Sequence, residues 1–128
     1  MNCIFCKINN KEIPSYTVYE DDIVRVMMDI SPVTNGHMLI IPKKHYTNLT
    51  DIPTDVLAHI QSTAKNMYKL LKEKLNIEGL TLCQNNDYGQ EVKHYHLHLI
   101  PRYKNDNLRI TSNSKKDDIE YIYEKLTK

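Results

Sequence analysis

Three histidines stand at alternate positions, His94, His96 and His98, in the run His-Tyr-His-Leu-His-Leu-Ile that begins at position 94. In extended backbone successive side chains point to opposite faces, so these three share one face while Tyr95, Leu97 and Leu99 take the other. Neighbouring imidazoles then lie roughly 6.5–7 Å apart along the strand. That is close enough for several of them to engage one small anionic or metal-bound group. A lone histidine on a half-buried strand is commonly a hydrogen-bonded core residue. Three on one face are harder to explain that way, because each ring needs partners for its nitrogens and packs less well than valine or isoleucine. Pro101 is expected to close the strand or confine it to an edge.

A second group with chemical potential is Cys3-Ile4-Phe5-Cys6, whose spacing fits one short helical turn or knuckle. Two thiols are half of a tetrahedral zinc site, and the missing ligands would be histidines from elsewhere. His45, after Ile40-Ile41-Pro42-Lys43-Lys44, is a candidate that no apolar-core argument explains. A thioredoxin-like redox pair is an alternative, although the surrounding βαβ pattern is absent. An inert pair of buried thiols is another. With Cys83 the cysteines are odd in number, so a complete disulfide framework is impossible and reduced thiols or metal ligands are expected.

The elements that must position these groups follow from periodicity and turn chemistry. Thr17 to Glu20 and Ile23 to Met28 read as two strands joined at Asp21-Asp22. Asp29-Ile30-Ser31-Pro32 breaks the pairing. Gly36 suits a tight turn before a third strand, His37 to Ile41, which stops at Pro42 and is central because it is mostly apolar. One long helix spans about Pro53 to Leu75, with Val56, Ile60, Ala64, Met67, Leu71 and Leu75 forming a single core-facing stripe. Pro53 fits its first turn, and Asn76 and Gly79 end it. Leu80 to Gln84 is a fourth strand, Asn85 to Gly89 a polar loop, and the histidine segment the fifth strand. Lys104 to Asp118 is a charge-rich loop, and Ile119 to Leu126 a weak terminal helix. The pattern predicts an α+β fold, an antiparallel five-stranded sheet with one long helix packed on it, whose other face is left for a ligand, a partner or both.

Length and composition bound the rest. The 128 residues suffice for one domain with a real core, here a core of about 3–103 and a tail of 104–128. Seventeen Lys+Arg against sixteen Asp+Glu leave a net charge of +1, so no general attraction to nucleic acid or anionic membrane is expected and any phosphate binding must be local. The N-terminus lacks the apolar region of a signal peptide and no run is long enough to span a bilayer, so a cytoplasmic location is the default expectation.

His94-Tyr95-His96-Leu97-His98-Leu99-Ile100 resembles the alternating signature of the histidine triad superfamily. Asp29-Ile30-Ser31-Pro32, Gly36-His37, Ile41-Pro42-Lys43-Lys44-His45 and Gly89-Gln90 resemble further family elements in the family's order. The likeness runs from Cys3 to Tyr103, nearest to bacterial Hit proteins and Hint phosphoramidases. It implies a homodimer whose sheets join across a two-fold interface. It also implies an enzyme that attacks the α-phosphorus of purine nucleoside phosphoramidates or (di)nucleoside polyphosphates without a catalytic metal, forms a nucleotidyl-histidine intermediate and releases AMP or GMP. By position His96 is the nucleophile, which suits a neutral imidazole whose other nitrogen is held as a donor. His98 and His37 would donate to phosphate oxygens, and His94 would organise the network around the nucleophile. Asp29 matches the ribose-binding residue, and Ile4, Phe5, Ile8, Met27 and Ile30 match the slot for the purine. Asn85, Gly89 and Gln90 match positions that contact phosphate or ribose. In relatives that bind zinc, the ligands resemble Cys3, Cys6, His45 and His94, implying a structural ion with all four positions filled.

Glu91 departs from the family. It stands where Hint phosphoramidases carry serine and Fhit-type enzymes threonine, and a carboxylate there would attract a cationic amine leaving group or accept a hydrogen bond. The chain has no tryptophan, unlike the C-terminus of animal Hint proteins. Two other readings fit the same residues: a zinc-dependent hydrolase using His94 and His96 as ligands, and a nucleotide-binding scaffold protein with little catalysis.

Overall fold

The structure, a computed structural model, describes residues 2–128. In chain order the elements are α1 (Ile4–Asn9), β1 (Thr17–Glu20), β2 (Val24–Met28), β3 (Met38–Pro42), α2 (Thr54–Leu75), β4 (Gly79–Cys83), β5 (Leu97–Arg102) and α3 (Ile119–Thr127). The five strands form one sheet in the order β1-β2-β3-β5-β4, with every neighbouring pair antiparallel. The predicted α+β fold is therefore the observed one.

The long helix forms where the apolar stripe lies. Pro53 is its extended N-cap, Asp55 sits in the positive first turn and Lys72 and Lys74 in the negative last one. Asn76 closes it in the left-handed conformation, φ 54°, with its N–H on the Lys72 carbonyl. Ile60, Ala64, Met67 and Leu71 are buried against Val24, Val26, Ile40, Leu97 and Leu99 from the sheet. Each such large aliphatic side chain contributes about 1.5–3 kcal/mol on burial. Leu75, the last residue of the predicted stripe, is 46% exposed and instead covers Gly36. Gly36 has φ +92°, and a β-carbon there would lie 2.8 Å from Leu75 Cδ1 and 3.2 Å from both Leu71 Cδ2 and Pro101 Cγ. Both backbone and space demand glycine at this turn into β3.

The continuous apolar run of β3 is explained by burial on both faces. Met38 and Ile40 face α2, whereas Leu39 and Ile41 join Met27 in a second cluster closed by Phe5 and Ile8 of α1. Part of the sheet face opposite the long helix is thus covered by the chain's own N-terminal turn. Asn9 fastens that turn, its Nδ2 donating to the carbonyls of Pro42 and Lys43 at 3.1 and 3.3 Å while its Oδ1 accepts from Arg25 Nε.

Of the two effects expected of Pro101 the structure has the second, since β5 continues through it to Arg102 but is paired on one side only at that point. The ladder tolerates it because β3 pairs with β5 only at Leu97, His98 and Leu99. Beyond that point the strand has β4 on one side only, with Leu80 opposite Pro101. The predicted weak helix is α3, in which no residue is buried. Among the described residues no helix is long and apolar enough to cross a membrane.

Candidate active site

The strand expected to carry all three histidines carries only His98, because β5 starts at Leu97. His94 and His96 lie in the extended segment that leads into it. The ladder cannot reach further back. Pro42 has no N–H to give, its carbonyl accepts from the side chains of His94 and Asn9, and Tyr95 N–H bonds to Tyr46 O at 2.7 Å. The alternation persists outside the ladder. Tyr95, Leu97 and Leu99 enter the core beside α2, while the rings of His96 and His98 meet on the other side with centroids 5.0 Å apart.

Hydrogen bonds fix which ring nitrogens carry protons. Val33 N–H donates to His37 Nδ1 at 3.1 Å, so the neutral His37 ring holds its proton on Nε2. That Nε2–H lies 2.9 Å from His98 Nδ1, which must accept, leaving the His98 proton on Nε2. His96 Nδ1–H donates to the main-chain carbonyl of His94 at 2.8 Å. In the neutral tautomer that this bond selects, Nε2 carries the lone pair. The group of His94 that orients the His96 ring is its backbone oxygen, not its own ring. Burial pushes His37 below the ordinary imidazole range and His98 down to about 4, so both rings are neutral at pH 7. The neighbouring His96 and His37 rings push His98 the same way, against a smaller opposing pull from Asp29.

These rings open onto a cavity of about 620 Å³, a size suited to a small organic ligand. His37, His96 and His98 line one end, and Ile4, Phe5, Ile8, Met27 and Ile30 are among its apolar walls. Asp29, Asn85, Gly89 and Glu91 supply polar groups. Asp29 is held in place, with Oδ1 accepting from Ser31 N at 2.8 Å and Oδ2 lying 3.5 Å from His37 Nε2. Gly89 has φ +89° and nothing within 4 Å of where a β-carbon would be, so backbone conformation requires the glycine there, not a close neighbour.

Beside the cavity, Cys3, Cys6, His45 and His94 bring four ligand atoms within 4.8 Å of one another. His94 Nδ1 lies 3.4 Å from Cys3 Sγ, 3.6 Å from Cys6 Sγ and 3.2 Å from His45 Nδ1, and Cys6 Sγ is 3.3 Å from His45 Nδ1. A tetrahedral zinc ion, with bonds of about 2.3 Å to sulfur and 2.0–2.1 Å to nitrogen, sets S···N edges of about 3.5 Å and N···N edges of about 3.3 Å. The spacing fits. So does the second layer, since His94 Nε2–H donates to Pro42 O at 3.0 Å and leaves Nδ1 free to ligate. Burial raises the Cys6 thiol to about 11, and the neighbouring Cys3 adds to it. Asp29, His37 and His98 also converge. Here the second layer argues against a metal, because the Val33 N–H aimed at His37 Nδ1 requires the proton on Nε2, where an ion would bind.

The sequence pattern of the HIT domain matches residues 10–105. The chain belongs to the HIT family. An uncharacterized HIT-like protein of Methanocaldococcus jannaschii is 46% identical over 106 residues, covering 81% of each chain. The adenosine 5′-monophosphoramidase HNT1 of Saccharomyces cerevisiae is 42% identical over 102 residues, 78% of this chain and 62% of that one. Among solved structures, a zinc-bound histidine triad family protein from Mycobacterium smegmatis superposes with a TM-score of 0.81 at 33% identity, covering 90% of this chain and 85% of that one.

Two residues of this HIT chain fall outside the place the sequence assigned them. Gln90 is buried and does not line the cavity. Its Nε2 donates to Thr47 O at 2.7 Å and its Oε1 accepts from Asp87 N at 3.1 Å, so it holds the 85–89 loop in shape. The ring of His94 points to the cysteines, not to the cavity. Conversely, Val33, Leu39 and Val92 line the cavity without having been predicted. Leu39 faces it because β3 pairs it with His98, a register no single strand reveals. Val33 acts through its backbone N–H, for which residue type gives no signal.

Proposed function

We propose that this HIT protein is a nucleotide hydrolase or nucleotidyl transferase. It acts at the α-phosphorus of purine nucleoside phosphoramidates or (di)nucleoside polyphosphates through a nucleotidyl-histidine intermediate and releases AMP or GMP. The observation that carries the reading is the pair of cavity-lining rings, His96 with its Nδ1–H tied to the His94 carbonyl and His98 with its centroid 5.0 Å away. The phosphoramidase activity named for the yeast relative supports the same class.

In the reaction, His96 Nε2 gives its lone pair to phosphorus as the bond to the leaving group breaks. With an amide substrate the bonding pair leaves on the amine nitrogen, which takes a proton from water. A second water then attacks phosphorus, the Nε2–P bond breaks with its pair returning to the ring, and the proton released neutralises the hydroxide left by the first step. As His96 gains positive charge, the His94 carbonyl on its Nδ1–H stabilises it. The His98 Nε2–H, fixed before the reaction, meets the charge on a nonbridging oxygen, and the loop backbone at Gly89 closes the same end. The purine lies between Phe5, Ile8 and Met27, and Asp29 takes the ribose hydroxyls.

Cys3, Cys6, His45 and His94 would hold zinc, a reading supported by the tetrahedral spacing and by the zinc-bound relative. Its contribution would be structural, tying α1 and the base-binding residues to the sheet. We further take residues 1–128 as one domain of a cytoplasmic homodimer whose sheet continues across the two-fold.

The test is His96→Ala and His96→Asn in single-turnover assays with adenosine 5′-phosphoramidate. Both variants release no AMP yet bind it with a Kd within about threefold of the original. A substantial residual rate refutes the nucleophile assignment. Wild-type protein that binds AMP but turns over neither phosphoramidate nor polyphosphate is a nucleotide-binding scaffold instead.

A further inference from the structure

The cavity is built for phosphate but carries the wrong charge for a polyanion. Its lining includes two carboxylates, Asp29 and Glu91, and neither lysine nor arginine. Burial keeps the His37 and His98 rings uncharged at pH 7, so they add no positive charge to it. Cations near in sequence are committed elsewhere: Lys93 Nζ donates to the carbonyls of Asp87 and Gln90, both at 3.0 Å, and does not reach the lining. Asp29 is engaged by Ser31 N–H and faces His37. Glu91 differs. It is exposed at the cavity and, among the described residues, makes no ion pair or hydrogen bond. A polyphosphate leaving group would add several negative charges beside these carboxylates with no side-chain cation to meet them. A cationic amine would supply the partner that Glu91 lacks.

We infer that Glu91 selects the leaving group, and that the preferred substrates are nucleoside phosphoramidates whose amine carries a further positive charge, as a diamine or a basic side chain does. This rests on the function proposed above and narrows its substrate class. Once the P–N bond breaks, the departing diamine keeps its distal ammonium, and nothing beyond the water already named is consumed.

The test compares three adenosine 5′-phosphoramidates of similar size, formed from 1,3-diaminopropane, propylamine and β-alanine, whose distal groups are an ammonium, a methyl and a carboxylate. Each kcat/KM is taken relative to the propyl amide on the same enzyme, so a general loss of activity cancels. A unit charge a few ångströms from an exposed carboxylate alters rates by roughly 2- to 5-fold. The wild-type order is therefore diamine over propyl over β-alanine amide, with about 4- to 25-fold between the extremes. Glu91→Gln brings that span to within about twofold and Glu91→Lys inverts the order. Raising the salt from 0.05 to 0.5 M compresses the wild-type span but not that of Glu91→Gln. Equal wild-type rates, or a span unchanged in Glu91→Gln, overturn this inference while leaving His96 as the nucleophile. Turnover of none of the three amides overturns the proposed function and this inference with it. Diadenosine tetraphosphate cleaved faster than the diamine conjugate also overturns it.

Discussion

Replacing His37 tests whether protons are fixed in advance at the reacting end of the cavity. His37 is 2% exposed and uses both nitrogens, accepting from Val33 N–H and donating to His98 Nδ1. Phenylalanine at this position keeps the volume and removes both bonds. His98 Nδ1 is then left without a donor, at a cost of about 1 kcal/mol for a half-buried group, the lower end of the range for an unpaired acceptor. The ring escapes that cost by turning over or by moving its proton, and either change removes the Nε2–H aimed at phosphate. Loss of one preorganised donor of this kind reduces kcat about 10²- to 10³-fold, with KM little changed because the lost bond matters most in the transition state. His37→Gln provides the control. Its carbonyl can take the Val33 N–H and its amide can donate to His98, so it should retain activity within about tenfold of the wild type. His37 is also one of the groups that lower the His98 pKa, so the acid limb of the pH–rate profile should move up in His37→Phe. A His37→Phe kcat within threefold of wild type, or a glutamine variant no better than phenylalanine, would refute the relay.

Purified protein should contain one zinc per chain by elemental analysis, and Cys3→Ser with Cys6→Ser should contain none. The same double variant should bind AMP more weakly, because Phe5 and Ile8 lie between and just after the two cysteines and form part of the cavity wall; unchanged AMP affinity would separate the cluster from the site. Stability should depend on acid through His98. The unfolded ring takes a proton near pH 6.5, whereas the folded ring holds out to about 4. The unfolded state thus binds more protons in that window, and unfolding free energy rises with pH across it. Urea midpoints should be flat above pH 7, fall between pH 6.5 and 4, and fall less steeply in His98→Gln.

The sheet and the long helix were legible because their signals are local. The stripe from Val56 to Leu71 has helical period, and Pro53, Asn76 and Gly36 mark boundaries by backbone preference alone. The extent of the histidine strand was not legible, because it depends on where β3 stops offering partners, and that is decided by Pro42 and two side chains that occupy its carbonyl. The inward turn of Gln90 was not legible for a related reason. Position in a loop beside a glycine suggests substrate contact, yet its side chain turns inward to Thr47, a residue 43 positions away in sequence. Long-range pairing of this sort leaves no trace in spacing.

The departure of the histidine segment from the ladder explains how one residue serves two neighbouring groups. The His94 carbonyl lies before the start of β5, so no ladder N–H shares it with His96 Nδ1–H. Because the segment approaches the sheet without joining it, the His94 carbonyl takes the His96 Nδ1–H while its ring reaches the cysteines. Phe5 packs edge-on against both rings, with centroids 5.8 Å from His94 and 5.1 Å from His96. Displacing α1 therefore moves a wall of the cavity and the packing of the His96 ring together. The cysteine-histidine cluster and the candidate nucleophile are thus mechanically continuous through Phe5 and the His94 backbone, although no residue of the cluster except His94 lies within the histidine run.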